Sequence, residues 1–352
     1  MPPSVTAFKS NFPTFPVYPF STSNLVSIRM AHENKFLRIS FNIHPGTFPE
    51  TLKFLDLDSY IGEIHPNSLP ASLTDLRLSY ATNFSVTVLS LPNTITKLYI
   101  KQSPKSKNSK LNVLLPSSLT DLQLMDSPQL VECNPLPAGL KKLQLSNSDL
   151  SPTNIVPLGV TDLSYSFNDY KALYPHHLPT SLIHLHLHSH LQTISLPHLR
   201  TLDHLKELQM GSSLDLTYLP PNLTKLSVEI PLSDTTNIQL PNTITDLTLW
   251  MTELTLFGDI HPDFISVSDS KLPLLQTLTI VGNESNSLTI DNLDFLPNSV
   301  TSIINLPMIT SNTFTLPPLL NTLEISSSNY KHNFTDKGIS LPSHVKFLNV
   351  HA

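Results

Sequence analysis

Apolar and polar positions along the chain follow one short unit that returns from Pro49 to Pro342. It runs Leu-Pro, two small polar residues, an aliphatic, two polar residues, then aliphatic, polar, aliphatic. Residues 69–78 read LPASLTDLRL, 91–100 LPNTITKLYI, 115–124 LPSSLTDLQL and 240–249 LPNTITDLTL. Counted from the proline, the third, sixth and eighth residues are aliphatic, as in Leu73, Leu76 and Leu78 or Ile95, Leu98 and Ile100. The last two alternate with polar residues, and alternation at period two predicts a short strand with one buried face. The anchors are Pro49, Pro70, Pro92, Pro116, Pro137, Pro157, Pro179, Pro220, Pro241, Pro297, Pro317 and Pro342. Leu202 and Leu272 fill the same slot, and the mean spacing is about 22.5 residues.

A strand that returns at this spacing in the same sense predicts a parallel stack. One unit cannot bury its own row of aliphatics, each stabilising by roughly 1.5–3 kcal/mol when buried, so neighbours must stack into a continuous core. The period lies within the roughly 20–29 residues of leucine-rich repeats. Proline fixes its own φ and pushes the preceding Leu toward extended geometry. A rigid corner before each strand follows, with that Leu as a fourth inward position. The connecting segments are rich in Ser, Asn, Thr and Pro and lack a 3.6-residue apolar period. The predicted fold is therefore a leucine-rich-repeat solenoid: a curved parallel β-sheet on the concave face, mostly extended or 3₁₀ convex segments, and little α-helix. Residues 46–352 form the solenoid, of about 14 repeats. Residues 1–45 read as an N-terminal cap or partly disordered lead, in which Leu25, Ile28 and Met30 fit one degenerate repeat. The 31-residue interval from Pro241 to Leu272 predicts a protruding loop around Phe257 to Ser270, and Val345, Leu348 and Val350 mark a last strand.

Composition narrows the chemistry. Leu is 62 of 352 residues, so a core can form, while 8 Gly against 31 Pro argue against the glycine-rich loops that cradle phosphates. Net charge is −6, and the basic stretch Lys101, Lys105, Lys107 and Lys110 reads as a solvated loop, so neither nucleic acid nor an anionic membrane is indicated. Cys133 is the one cysteine, which excludes intramolecular disulfides and cysteine-based zinc sites and fits a reducing compartment. The sequence carries no membrane-length apolar run and no secretory signature, which predicts a cytoplasmic location, with secretion of the bacterial-effector kind left open as the alternative. Sequons at Asn83, Asn222, Asn283 and Asn333 occur at the frequency chance gives in so Asn-, Ser- and Thr-rich a chain. The nucleophile-elbow, phosphate-loop and paired-histidine metalloprotease motifs are missing from the sequence, so no catalytic residue and no cofactor is assigned.

The unit Leu-Pro-x-Ser-Leu-Thr-x-Leu-x-Leu resembles the FNIP repeats, a leucine-rich-repeat variant. The closest copy of the naming motif is Phe41-Asn42-Ile43-His44-Pro45-Gly46, with Ile64-His65-Pro66 a weaker one and Phe167-Asn168 and Phe257 to Pro262 as remnants. Leu143-Gln144-Leu145-Ser146-Asn147 would equally suit the leucine-rich units of bacterial effector proteins. The resemblance implies an interaction surface and no catalytic residues.

On the outward side of the strands the fifth position reads Phe54, Asp75, Lys97, Asp121, Lys142, Asp162, His184, Glu207, Lys225, Asp246. Alternating charge on adjacent strands favours stacking, so this row reads as a ladder that holds the register. The seventh position, containing Tyr99, Gln123, Gln144, His186 and Gln209, is uncharged through its middle. Tyr165 and Trp250 are assigned one step beyond it. Rigid amphipathic aromatics are enriched where proteins bind one another. These seven residues are the candidate contacts for a protein partner along the concave face, and the predicted function is a non-enzymatic interaction scaffold. The alternative is a metal-binding protein: His184, His186 and His188 alternate with Leu185 and Leu187, Asp162 and Glu207 flank them, and imidazoles two residues apart on a strand can converge on zinc or copper.

Overall fold

The computed structural model describes residues 4–11, 20–31, 39–80, 89–101, 113–126, 135–146, 156–167, 177–189, 196–213, 218–229, 240–250, 272–281, 289–290, 293, 296–309 and 311–351. The Phe257 to Ser270 loop, Cys133 and Lys105 to Lys110 lie outside the described residues. Two compact units divide the chain, Met1–Leu182 and Ile183–Ala352.

In the first unit the strands are β1 (Ala7–Ser10), β2 (Ser27–Met30), β3 (Phe54–Tyr60), β4 (Asp75–Tyr80), β5 (Leu89–Ser90), β6 (Lys97–Lys101), β7 (Val113–Leu114), β8 (Asp121–Met125), β9 (Lys142–Ser146) and β10 (Asp162–Phe167). All except β5 and β7 pair in chain order as parallel neighbours of one sheet, and β5 pairs with β7 separately. The second unit holds β11 (His184–Ser189), β12 (Glu207–Ser213), β13 (Lys225–Glu229), β14 (Asp246–Trp250), β15 (Thr277–Val281), β16 (Thr289–Ile290), β17 (Ser302–Ile304), β18 (Met308–Ile309), β19 (Thr322–Ser326) and β20 (Phe347–His351). Again all but one separate pair, β16 with β18, form consecutive parallel neighbours. Helix is scarce: one turn, α1 (Ser327–Tyr330), runs into a π turn over Lys331–Thr335, and short 3₁₀ turns occupy Phe20–Thr22 and Pro197–Thr201. Each unit is a leucine-rich-repeat solenoid.

The inward rows are those the pattern predicts. Leu55 and Leu57, Leu76 and Leu78, Leu122 and Leu124, Leu185 and Leu187, and Leu226 and Val228 are at most 1% exposed. Leu25, Ile28 and Met30 are fully buried, and the last two lie on β2, paired with β3. The Leu before the proline is less uniform than expected. Leu69, Leu91, Leu178 and Leu219 are buried, whereas Leu115, Leu136, Leu240 and Leu316 are half-buried.

The corner itself is a β-turn closed by the anchor's carbonyl. Leu73 N–H donates to Pro70 O at 3.1 Å, Leu119 to Pro116 at 3.1 Å and Ile244 to Pro241 at 3.2 Å. Leu205 to Leu202 at 3.0 Å and Leu275 to Leu272 at 3.1 Å make the same bond without proline. The turn therefore needs only the carbonyl, and the ring adds a fixed φ.

Hydroxyls join one corner to the next. The second residue after the anchor donates to the third-position carbonyl of the preceding repeat: Ser72 to Leu52 at 2.6 Å, Thr94 to Leu73 at 2.8 Å, Ser118 to Ile95 at 2.7 Å, Ser181 to Val160 at 2.6 Å and Thr243 to Leu223 at 2.6 Å. The fourth residue does the same one carbonyl later, as Thr96 to Thr74 at 3.3 Å, Thr120 to Thr96 at 3.1 Å and Thr245 to Thr224 at 3.1 Å. At these corners the Ser and Thr of the repeat thus bond one repeat to the next.

Candidate functional site

Outward-facing positions line up strand by strand, because parallel pairing in register puts equivalent residues side by side at about 4.8 Å. In the first unit the fifth-position ladder is in register: Phe54 faces Asp75, then Lys97, Asp121, Lys142 and Asp162 in turn. Part of its charge is satisfied along the strand instead of across it. The Arg77 guanidinium bonds Asp75 at 3.3 Å on its own strand and sits 5.3 Å above the Phe54 ring, while Gln123 donates to Asp121 at 3.2 Å. Arg29 pairs with Asp56 across strands at 2.7 Å.

The seventh position runs Arg29, Asp56, Arg77, Tyr99, Gln123, Gln144 and Ser164 across these strands. Tyr99 is half-buried between Arg77 and Gln123. Burial first, then the carboxylates of Asp58, Asp126 and Asp56, push its phenol above the ordinary tyrosine range, so at neutral pH it is a hydrogen-bond donor on an amphipathic ring. Tyr165 is a correction. It pairs with Leu145, which places it at the eighth, inward position, and at 4% exposure it belongs to the core. The eight-residue count from Pro157 puts it there, and an aromatic in an aliphatic slot is what obscured it.

In the second unit His184 faces Glu207, Lys225 and Asp246 in turn at the fifth position, and His186 faces Gln209, Ser227 and Thr248 at the seventh. Trp250 stands at the ninth position, paired with Glu229 and Val281, and is 38% exposed. Its indole N–H donates to Ser227 Oγ at 2.7 Å, which pins the ring and leaves an apolar face outward.

The histidines face outward as expected, but they are committed differently. His186 Nε2 lies 3.1 Å from Glu207 Oε1. Burial, and secondarily the neighbouring His186, lower the His188 pKa below its usual value. Among the described residues no three His, Cys, Asp or Glu side chains are placed to hold one metal ion. Asp162 belongs to the first unit. Nor is any helix among them long and apolar enough to cross a membrane.

The naming motif builds a second ladder, away from the main strands, that the pattern analysis did not anticipate. Ile43 and Ile64 form a parallel bridge, with Ile43 N–H on Glu63 O at 2.7 Å and His65 N–H on Ile43 O at 2.9 Å. Each is followed by a turn with proline second and a left-handed residue third, Gly46 at φ 80° and Asn67 at φ 58°. The His44 and His65 rings stack at 4.2 Å, and Asn42 Oδ1 accepts from Glu63 N–H at 3.1 Å. Beneath them the buried Tyr60 hydroxyl donates to Phe41 O at 2.8 Å. The signal in the sequence was the spacing of the two Ile-His-Pro tripeptides, 21 residues apart.

Comparison with known proteins agrees with this geometry. Residues 41–81 match the family model of the FNIP repeat. A solved structure described as a novel circular leucine-rich-repeat protein, CroV588, is 20% identical, with a TM-score of 0.50. That alignment takes in all of this chain but 60% of that one, so the chain spans less than two thirds of its length. YopM from Yersinia enterocolitica is 22% identical at a TM-score of 0.49, covering all of this chain and 79% of that one. No curated protein matches the chain.

Proposed function

We propose that this FNIP-type leucine-rich-repeat protein is a non-enzymatic scaffold that binds a protein partner along the outward side of its parallel strands. The observation that carries the reading is a pair of ordered aromatics on that side, one in each unit: Tyr99, half-buried between Arg77 and Gln123, and Trp250, held by Ser227 and 38% exposed. Such rings present large contact area at small entropic cost, and are the residues that dominate binding energy when a partner covers them. Gln123, Gln144, His186 and Gln209 supply hydrogen-bonding groups on the same rows. Internally paired charge gives the face little long-range pull on polyanions, which favours a protein over nucleic acid or an anionic membrane. The reading places the protein in the cytoplasm, with no resident cofactor.

Cross-linking of the intact protein in its cells, with mass-spectrometric identification of the cross-linked peptides, tests the face directly. Cross-links should concentrate on peptides bearing Tyr99, Gln123 or Trp250. Tyr99→Ala and Trp250→Ala should each weaken the identified complex about 10- to 100-fold while leaving the circular dichroism unchanged. Full affinity in both folded variants would move the interface elsewhere.

A further inference from the structure

We infer that β18 is a binding edge for an extended peptide of a partner, and that side chains of residues 327–338 cover this edge by mimicking a parallel strand until a peptide displaces them. Among the described residues β16 and β18 form a sheet of two strands, in which Ile309 pairs with Ile290. The edge in question is the other side of β18. It belongs to a different sheet from the partner face proposed above, so the two sites stand or fall separately.

A parallel neighbour engages a strand through a fixed order of bonds. With its central residue beside Ile309, the residue before the centre donates to Pro307 O and accepts the Ile309 N–H, and the residue after the centre donates to Ile309 O. The first unit shows this order with backbone alone: across the Ile43–Ile64 bridge, Ile43 N–H donates to Glu63 O at 2.7 Å and His65 N–H to Ile43 O at 2.9 Å. On β18 side chains fill the same order. Asn333 takes the place of the residue before the centre, its Oδ1 accepting from Ile309 N–H and its Nδ2 donating to Pro307 O, both at 2.8 Å. Lys337 Nζ takes the place of the later N–H groups, donating to Ile309 O and Ser311 O. His332 Nε2 lies 3.2 Å from Ile309 O as a second donor to it. One carboxamide thus stands where a peptide group would, and it is fully buried.

The cover is built to come away. It is one α-helical turn continued by a π turn, a geometry used in short pieces and frequent at functional sites. Its catch, Lys337, is a half-buried ammonium on a flexible stem. A backbone strand replaces these bonds one for one, so cover and peptide compete for the same groups, as in other cases of strand addition. The same order of bonds selects the occupant. It must be extended and carry an N–H on each side of its central residue, which excludes proline at both places. The centre must be aliphatic, because it meets the fully buried Ile309 as Ile290 does from the opposite side.

The probe is a labelled synthetic peptide of residues 286–293, Asn-Ser-Leu-Thr-Ile-Asp-Asn-Leu, which contains β16. A control peptide carries Asp291→Pro and so lacks the N–H for Ile309 O. Both are titrated by fluorescence anisotropy against the intact chain and against Lys337→Met, which keeps the stem and removes the donor. The variant should bind the parent peptide about 10-fold more tightly than the wild type, because a cover that is open more of the time raises apparent affinity. Neither chain should bind the prolyl peptide. By amide exchange, Ile309 should open faster in Lys337→Met and be protected again by the parent peptide. Equal affinities of the wild type and a folded Lys337→Met overturn the proposal, as does a prolyl peptide that binds as well as the parent. Should Lys337→Met fail to fold, the wild type decides: millimolar parent peptide slows exchange at Ile309 if the edge is a binding site, and unchanged exchange overturns it.

Discussion

Gly62 shows how much one position can hold. A Cβ placed there would lie 1.7 Å from Phe41 O, the carbonyl that accepts the Tyr60 hydroxyl, and 2.6 Å from that hydroxyl. Neither a carbonyl in a paired segment nor a fully buried tyrosine can withdraw freely. Gly62→Ala should therefore cost about 3 kcal/mol or more, at the upper end of overpacking penalties, read as a fall in the thermal midpoint. Gly46→Ala meets no atom within 4 Å, and its penalty comes from a φ of 80° alone, about 1 kcal/mol. Asn333 makes the same point for a polar group. It is fully buried, its Oδ1 accepting from Ile309 N–H and its Nδ2 donating to Pro307 O, both at 2.8 Å. The Asn-Phe-Thr sequon there is closed to modification in the folded chain, because both ends of the amide are already used.

At the scale of the element, the strand and its corner were legible and the bonds joining one corner to the next were not. Leu76, Leu122 and Leu226 could be placed inward because side-chain direction on a strand depends only on counting, and the count restarts at every anchor. Those bonds depend on where hydroxyl protons go, and Ser and Thr look alike in a sequence whether they face water or a neighbour's carbonyl. Thr120, bonded to Thr96 O at 3.1 Å, tests the distinction. Thr120→Val keeps the shape and loses one bond on an exposed edge, so it should cost about 0.5–1.5 kcal/mol, measured by urea unfolding. Ser118→Ala, beside it, loses a part-buried bond of 2.7 Å and should cost at least as much. Tyr165 illustrates the other way a count is obscured, since an aromatic in an aliphatic slot suggests a surface function where the register points inward.

For the whole molecule, contacts run between consecutive strands, so stability is a chain of neighbour interactions within each unit. Leu122→Asp would drive an unpaired charge into the shared row of β6, β8 and β9 and should abolish amide protection across those strands, at a cost of several kcal/mol. Gln123→Asp, one residue away and facing outward, should leave protection intact; equal losses for the two would overturn the inward and outward assignment. The candidate face was less legible than the fold. Period and alternation say which residues point outward, but whether Trp250 is pinned by Ser227, or His186 committed to Glu207, depends on rotamers that no count contains. The hydroxyl bonds at the corners carry one more consequence, for how such a chain changes length over generations. Wherever these hydroxyl bonds form, they join the same donor positions to the same acceptor carbonyls of the repeat before. Duplicating or deleting one whole unit in the gene therefore recreates a junction of the kind already present. A part of a unit does not, so copy number can drift freely while the phase of the repeat cannot.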